Sequence, residues 1–268
     1  MLLVASGTQY KESGSAFLLI AQDDGIRQLF LDGSRNVQIV HSGNASVIGL
    51  GYDPVTRTMF WSTFGNVLKA EVVPNAVTHK LLRDGFIVAE GLAVDWTGRN
   101  LYLTDPKMKH IMVCKMDGSS CYSLLSGLGH PRAIQLDMVN RYMYWTDVKD
   151  GTIRKAGMDG TNHDVVAMNG VLWPNAMALD LPAGRLYWLD ANKDHAFSIK
   201  LDGTDQKHSR AKPLPTQHSR ATHTRNHWAR QGTQGPYFSF QLCDSNSLTH
   251  SQRQRPGQYS GRSGTGIS

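Results

Sequence analysis

A chain of 268 residues with 40% apolar content is long enough to bury one large core. Its formal charge of +6 is confined to one end, since residues 1–210 carry 21 Lys and Arg against 21 Asp and Glu, and residues 211–268 carry 7 against 1. The balanced body excludes a broad phosphate-neutralising surface and hence a nucleic-acid partner; three cysteines exclude a disulfide-dense small module, and no apolar run reaches the roughly 18 residues of a spanning helix.

Residues 1–14 are polar and rich in Gly and Ser and read as a disordered lead-in. Three strand-like runs follow: Ala16-Phe17-Leu18-Leu19-Ile20, then Ile26 to Leu31, then Val37-Gln38-Ile39-Val40. Asn44-Ala45-Ser46 is a glycosylation acceptor in the connection after them.

From there the chain repeats itself. Phe60-Trp61-Ser62-Thr63, Tyr102-Leu103-Thr104-Asp105, Tyr144-Trp145-Thr146-Asp147 and Tyr187-Trp188-Leu189-Asp190 begin 42, 42 and 43 residues apart. Upstream of each lies a run ending in an aspartate, Asp53, Asp95, Asp137 and Asp180, at the same step. Asp-Gly-Ser or Asp-Gly-Thr turns at 32–34, 117–119, 159–161 and 202–204 form a third series in phase, with Pro74-Asn75 filling the second place. A period of about 40–45 residues holding several short strands and no helical pattern predicts a β-propeller blade.

Each full copy reads as four antiparallel strands, in the third at 132–137, 142–147, 152–157 and 163–167. Alternation sends Trp145 and Asp147 to one face of the sheet and Tyr144 and Thr146 to the other. The upstream strand uses small residues at alternate places, Gly49 and Gly51, Gly91 and Ala93, Ala176 and Ala178, which suits an innermost strand where blades converge. Trp61, Tyr102, Tyr144, Trp145, Asp147, Tyr187 and Trp188 are expected to be structural, because a packing group is needed in every blade and a catalytic one only once. Cys114 and Cys121 flank a turn, and either pair as a disulfide or stay as two buried thiols. Residues 210–268 form a basic, low-complexity tail, read as disordered apart from one strand-like run, Tyr237 to Leu242.

The motif Tyr144-Trp145-Thr146-Asp147, with Pro131-Arg132-Ala133-Ile134, Trp173-Pro174-Asn175 and Gly91-Leu92-Ala93-Val94-Asp95-Trp96, resembles the low-density lipoprotein receptor class B repeat. The resemblance spans roughly residues 16–208 and implies an all-β, six-bladed propeller at 15–209, here with about four full blades and a three-strand opening. It further implies a cell-surface, extracellular location, with the leader, sixth blade, disulfide module and membrane anchor lying outside this chain.

Propellers bind chiefly through loops at the end where innermost strands begin. In the Wnt co-receptor branch, Arg and Asn at the places of Arg132 and Asn175 help hold asparagine-containing peptides, so the resemblance nominates those two residues, with Glu90 and Trp173 beside them. Asp23-Asp24 replaces that branch's basic pair. His130 is the candidate for acid-driven ligand release. The recurring Asp53, Asp95, Asp137 and Asp180 read as turn caps, and no residue spacing suits a metal or any other cofactor. The function expected is non-enzymatic binding of protein or lipoprotein ligands in endocytosis or signalling. The alternatives are a secreted, nidogen-like adhesion module and a calcium-dependent lactonase-type hydrolase.

Overall fold

The computed structural model describes residues 2–6, 17–22, 25–43, 45–82, 87–193, 195–210 and 242–243, with side chains described for all of these except 2–6, 210 and 242–243. All regular structure among the described residues is strand.

The first sheet is built from β1 (Leu2–Ser6), β2 (Phe17–Gln22), β3 (Gly25–Phe30) and β4 (Asn36–His41). The second holds β5 (Leu50–Asp53), β6 (Thr58–Thr63), β7 (Asn66–Glu71) and β8 (His79–Lys80). The third holds β9 (Gly91–Asp95), β10 (Asn100–Asp105), β11 (His110–Lys115) and β12 (Cys121–Leu125). The fourth runs through β13 (Pro131–Asp137), β14 (Tyr142–Asp147), β15 (Thr152–Gly157) and β16 (Asp164–Ala167). The fifth has β17 (Pro174–Asp180), β18 (Arg185–Asp190), β19 (His195–Lys200) and β20 (Lys207–Arg210). A two-residue strand, β21 (Leu242–Cys243), runs parallel to β1 and adds to the first sheet. Apart from β21, every sheet is an antiparallel meander in chain order, so the architecture of the described residues is five propeller blades.

Two expectations need correction. Within the lead-in read as disordered, Leu2–Ser6 is a strand paired antiparallel with Phe17–Ala21, so the first blade has the innermost strand that its sequence seemed to lack. Within the tail read as disordered, Leu242–Cys243 is a strand; its other residues past 210, like 7–16, lie outside the described residues.

Innermost strands β1, β5, β9, β13 and β17 lie side by side in that order, and β21 touches both β1 and β17. The small residues of these strands are required by that approach. A Cβ on Gly91 would sit 2.1 Å from the Arg132 carbonyl oxygen, and one on Gly51 2.6 Å from Val94, distances no side-chain carbon tolerates. The core therefore lies between blades, in layers. Trp61 packs with Leu19, Tyr52 and Met59 between blades one and two, Trp145 with Tyr102 and Ile134 between three and four, and Trp188 with Tyr144 and Met177 between four and five. Each buried tryptophan contributes roughly 1.5–3 kcal/mol or more.

Tyr187 departs from its expected buried place. It is 41% exposed where Tyr144 is 3% exposed. The face of the fifth blade that carries it has no following blade among the described residues, so the ring has nothing there to stack on.

Candidate functional site

The motif residues divide the work of tying blades, strands and loops together. Tyr102 Oη donates to the Met158 carbonyl of the next blade at 2.7 Å. The third residue serves the innermost strand of its own blade: Ser62 Oγ, Thr104 Oγ1 and Thr146 Oγ1 accept from the N–H of Gly49, Gly91 and Ala133 at 2.9, 2.8 and 3.0 Å. The fourth clamps two loops at once. Asp147 accepts from Gly129 N and His130 N at 2.9 and 2.8 Å, and Asp190 from Leu172 N and Trp173 N at 2.8 and 3.1 Å. Asp105 takes Val88 N at 3.0 Å on one oxygen and Lys107 N and Met108 N, each at 2.9 Å, on the other. The loops that lead into β9, β13 and β17 are thereby held to the hairpins of the same end. Burial raises the pKa of Tyr144 to about 12, with the charge of Asp137 adding to it, and burial raises that of Tyr102 further.

Two β-bulges then aim the side chains. Strand β13 places Arg132 and Ala133 against Thr146 alone, and β17 places Asn175 between pairs that are adjacent on β18. The extra residue at each point turns toward the neighbouring blade. Arg132 Nε donates to Glu90 Oε2 at 2.6 Å, and Arg132 Nη1 donates to Asn175 Oδ1. Thr104 Oγ1 donates to the Arg132 carbonyl at 2.5 Å, tying the bulge down from the preceding blade. Glu90, Arg132 and Asn175 are 6%, 4% and 7% exposed, so they make one buried polar seam across three blades. A buried carboxylate–guanidinium pair of this kind tolerates loss of neither partner, at about 3–5 kcal/mol for the uncompensated charge left behind.

The sequence candidates thus come together, but in two classes. Glu90, Arg132 and Asn175 satisfy one another below the surface. His130 stands above them, its Nε2 3.8 Å from Glu90 Oε2 and its side chain 43% exposed. Trp173 is open to solvent, and at the same end of the strands so are Phe64, Met108, Met168 and Leu172. Those four escaped the sequence reading; the signal available was a large apolar residue inside a turn or loop, as in Phe64-Gly65. The bulges that create the seam left no such signal.

At the opposite end the recurring aspartates are turn caps. Asp53 accepts from Val55 N at 2.9 Å, Asp95 from Gly98 N at 2.8 Å, Asp137 from Val139 N at 3.0 Å and Asp180 from Ala183 N at 3.0 Å. Two of them also receive an arginine from the following blade: Arg99 reaches Asp53, and Arg141 Nη2 lies 3.2 Å from Asp95 Oδ2. Among the described residues no cluster of His, Cys, Asp or Glu could hold a metal ion. Cys114 and Cys121 stand opposite each other on β11 and β12 and are joined as a disulfide. Asn44 and Asp23-Asp24 lie outside the described residues.

Residues 141–181 match the family described as low-density lipoprotein receptor repeat class B. Over 129 residues the chain is 34% identical to low-density lipoprotein receptor-related protein 5 of Mus musculus, covering 42% of this chain and 8% of that protein. Over 159 residues it is 31% identical to Protein cueball of Drosophila grimshawi, covering 54% of this chain and 26% of that one. It therefore spans about a quarter or less of either relative. Among solved structures, the nidogen/laminin complex contains a similar chain at TM-score 0.67 and 28% identity, covering 72% of this chain and 78% of the other. Streptogramin B lyase matches at TM-score 0.59 and 14% identity over 80% and 69% of the two chains, a likeness of fold alone. Repeat, register and relatives agree that residues 141–181 form a low-density lipoprotein receptor class B, or YWTD, repeat, and that the chain around them is similar to proteins that carry it.

Proposed function

We propose that the chain is a non-catalytic, extracellular ligand-binding propeller of a lipoprotein-receptor-related protein, serving endocytosis or Wnt co-receptor-type signalling and anchored to the membrane by residues beyond this chain. The observation that carries the reading is the exposure of Phe64, Met108, Met168, Leu172 and Trp173 at the end where the buried Glu90–Arg132–Asn175 seam lies. Aromatic and Met side chains around a fixed polar floor are the composition of protein interfaces and their hot spots. The partner is a protein or lipoprotein. Trp173 supplies the apolar anchor, and Arg132 and Asn175 meet an incoming asparagine side chain by exchanging the bond they make with each other. His130, its Nε2 3.8 Å from Glu90 Oε2 and its backbone N–H held by Asp147, is the residue that drives acid release, by drawing Glu90 away from Arg132 and loosening that floor.

The test is surface plasmon resonance with the chain immobilised and two analytes, an asparagine-containing peptide series and laminin. Trp173→Ala should weaken binding tenfold or more, about 1.4 kcal/mol, at an unchanged melting temperature, and His130→Gln should abolish weakening between pH 7 and pH 5.5. Full affinity in Trp173→Ala would place the site elsewhere. Binding of laminin without the peptides would favour the second reading, a nidogen-like adhesion module, which rests on the likeness to the nidogen chain.

A further inference from the structure

The junction between blades two and three, at the end away from Arg132, lacks a bond that the junction after it has. Tyr102 bonds across the junction of blades three and four to the Met158 carbonyl. One blade earlier, Phe60 stands in the place of Tyr102 and Met116 in that of Met158; both methionines take the same local bond, Met116 N to Arg99 O and Met158 N to Arg141 O. Phe60 has no hydroxyl, so the Met116 carbonyl does not receive the bond its counterpart has.

A difference from blade four lies beside the first. At the fourth place of each third strand, blade four sets Lys155 opposite Asp164, with Nζ 3.6 Å from Oδ2. Blade three sets Val113 opposite Tyr122. Blade two sets Lys69 opposite His79, so that no carboxylate stands across from Lys69 as Asp164 stands across from Lys155. Its outer strand β8 is only two residues long, so little covers it.

A cleft of about 700 Å³ opens at this point, with Phe60, Val73, Val77, Lys69, His79 and Met116 in its walls. Such a volume is that of a small-molecule site, in a range of roughly 300–1,000 Å³. The other charged groups there have work of their own. Arg99 is bound to Asp53, Lys115 Nζ lies 3.1 Å from Asn100 Oδ1, and the Asp117 carboxylate takes Ser119 N at 2.9 Å, its pKa held down by Ser119 and more weakly by the charge of Lys69. Glu71 is exposed on the strand that carries Lys69.

We propose that this cleft binds a small apolar carboxylate bearing an N–H donor, either an acylated apolar amino acid or the free C-terminus of a peptide. The carboxylate sits on Lys69 and His79 and supplies the acid that Asp164 provides in blade four. The apolar group rests on Phe60, Val73 and Val77, and the N–H donates to the Met116 carbonyl.

The probes are N-acetyl-leucine, N-acetyl-leucinamide, and a pentapeptide ending in leucine with a free or an amidated C-terminus, each titrated into the whole chain by ligand-observed NMR. Both acids, or one of them, should bind at least tenfold more tightly than the matching amide, and which acid binds tells free metabolite from peptide end. Lys69→Met should bring the acid down to the amide. Phe60→Tyr should restore the hydroxyl to Met116, raise the melting temperature and weaken the acid tenfold, so loss of binding there does not reflect loss of fold. Amides that bind as well as the acids, no binding by either acid, or parental affinity in both variants would overturn the site.

Discussion

One motif residue behaves in two ways according to what stacks upon it. Tyr144 is buried between blades and Tyr187, its counterpart, faces outward from the last one. Replacing Tyr144 with serine should therefore cost about 3–5 kcal/mol, and the same change at Tyr187 about 0.5 kcal/mol, as read from urea unfolding midpoints. Tyr144 also carries a sign. Its folded pKa is pushed up to about 12 from an ordinary 10.0, so the neutral phenol's contribution is complete below pH 10 and fades as pH rises toward 12. Unfolding midpoints measured across that window should fall in the parent and fall less in Tyr144→Phe. At this scale the sequence was most legible where a residue recurs: Trp61, Trp145 and Trp188 had to be core because a packing group is needed in every blade. Arg132 and Asn175 were visible through the family resemblance, but their bond to each other depends on bulges in β13 and β17 that period-2 alternation does not announce.

Strands and turns were legible to within a residue or two in the fourth blade, where 132–137 and 163–167 became 131–137 and 164–167. Period-2 alternation and Asp-Gly turns act locally, and local rules survive folding. The first strand did not survive them, because Leu2-Leu3-Val4-Ala5-Ser6 is short and followed by polar residues. Only its pairing with β2 makes it an element. The Cys114–Cys121 link closes the hairpin of β11 and β12 with a separation of 7 residues. A loop so short removes modest chain entropy, about 2 kcal/mol. Dithiothreitol, or Cys114→Ser with Cys121→Ser, should lower the unfolding free energy by about that amount, and an unchanged midpoint would mean that burial of the two side chains does the stabilising instead.

For the whole molecule, the five blades are coupled by layers of side chains and by arginines that reach back one blade. Arg99 and Arg141 hold the left-handed backbone conformation at φ 58° and 59°, from which they reach Asp53 and Asp95. The next in the series is Gly184, at φ 60°, which has nothing to send to Asp137. The junction before the fifth blade thus lacks a tie that its predecessors have, and no blade among the described residues covers the outward face of the fifth. The chain accordingly has a grain: it should fray from its fifth blade toward the third instead of melting evenly, and amides of β18 and β19 should exchange with deuterium sooner than those of β10 and β11. Gly184→Arg meets no clash, since a Cβ there has no heavy atom within 4 Å, and it takes on the left-handed strain that Arg99 and Arg141 already bear. If the grain is real, that one side chain should slow exchange in the fifth blade and leave the third untouched.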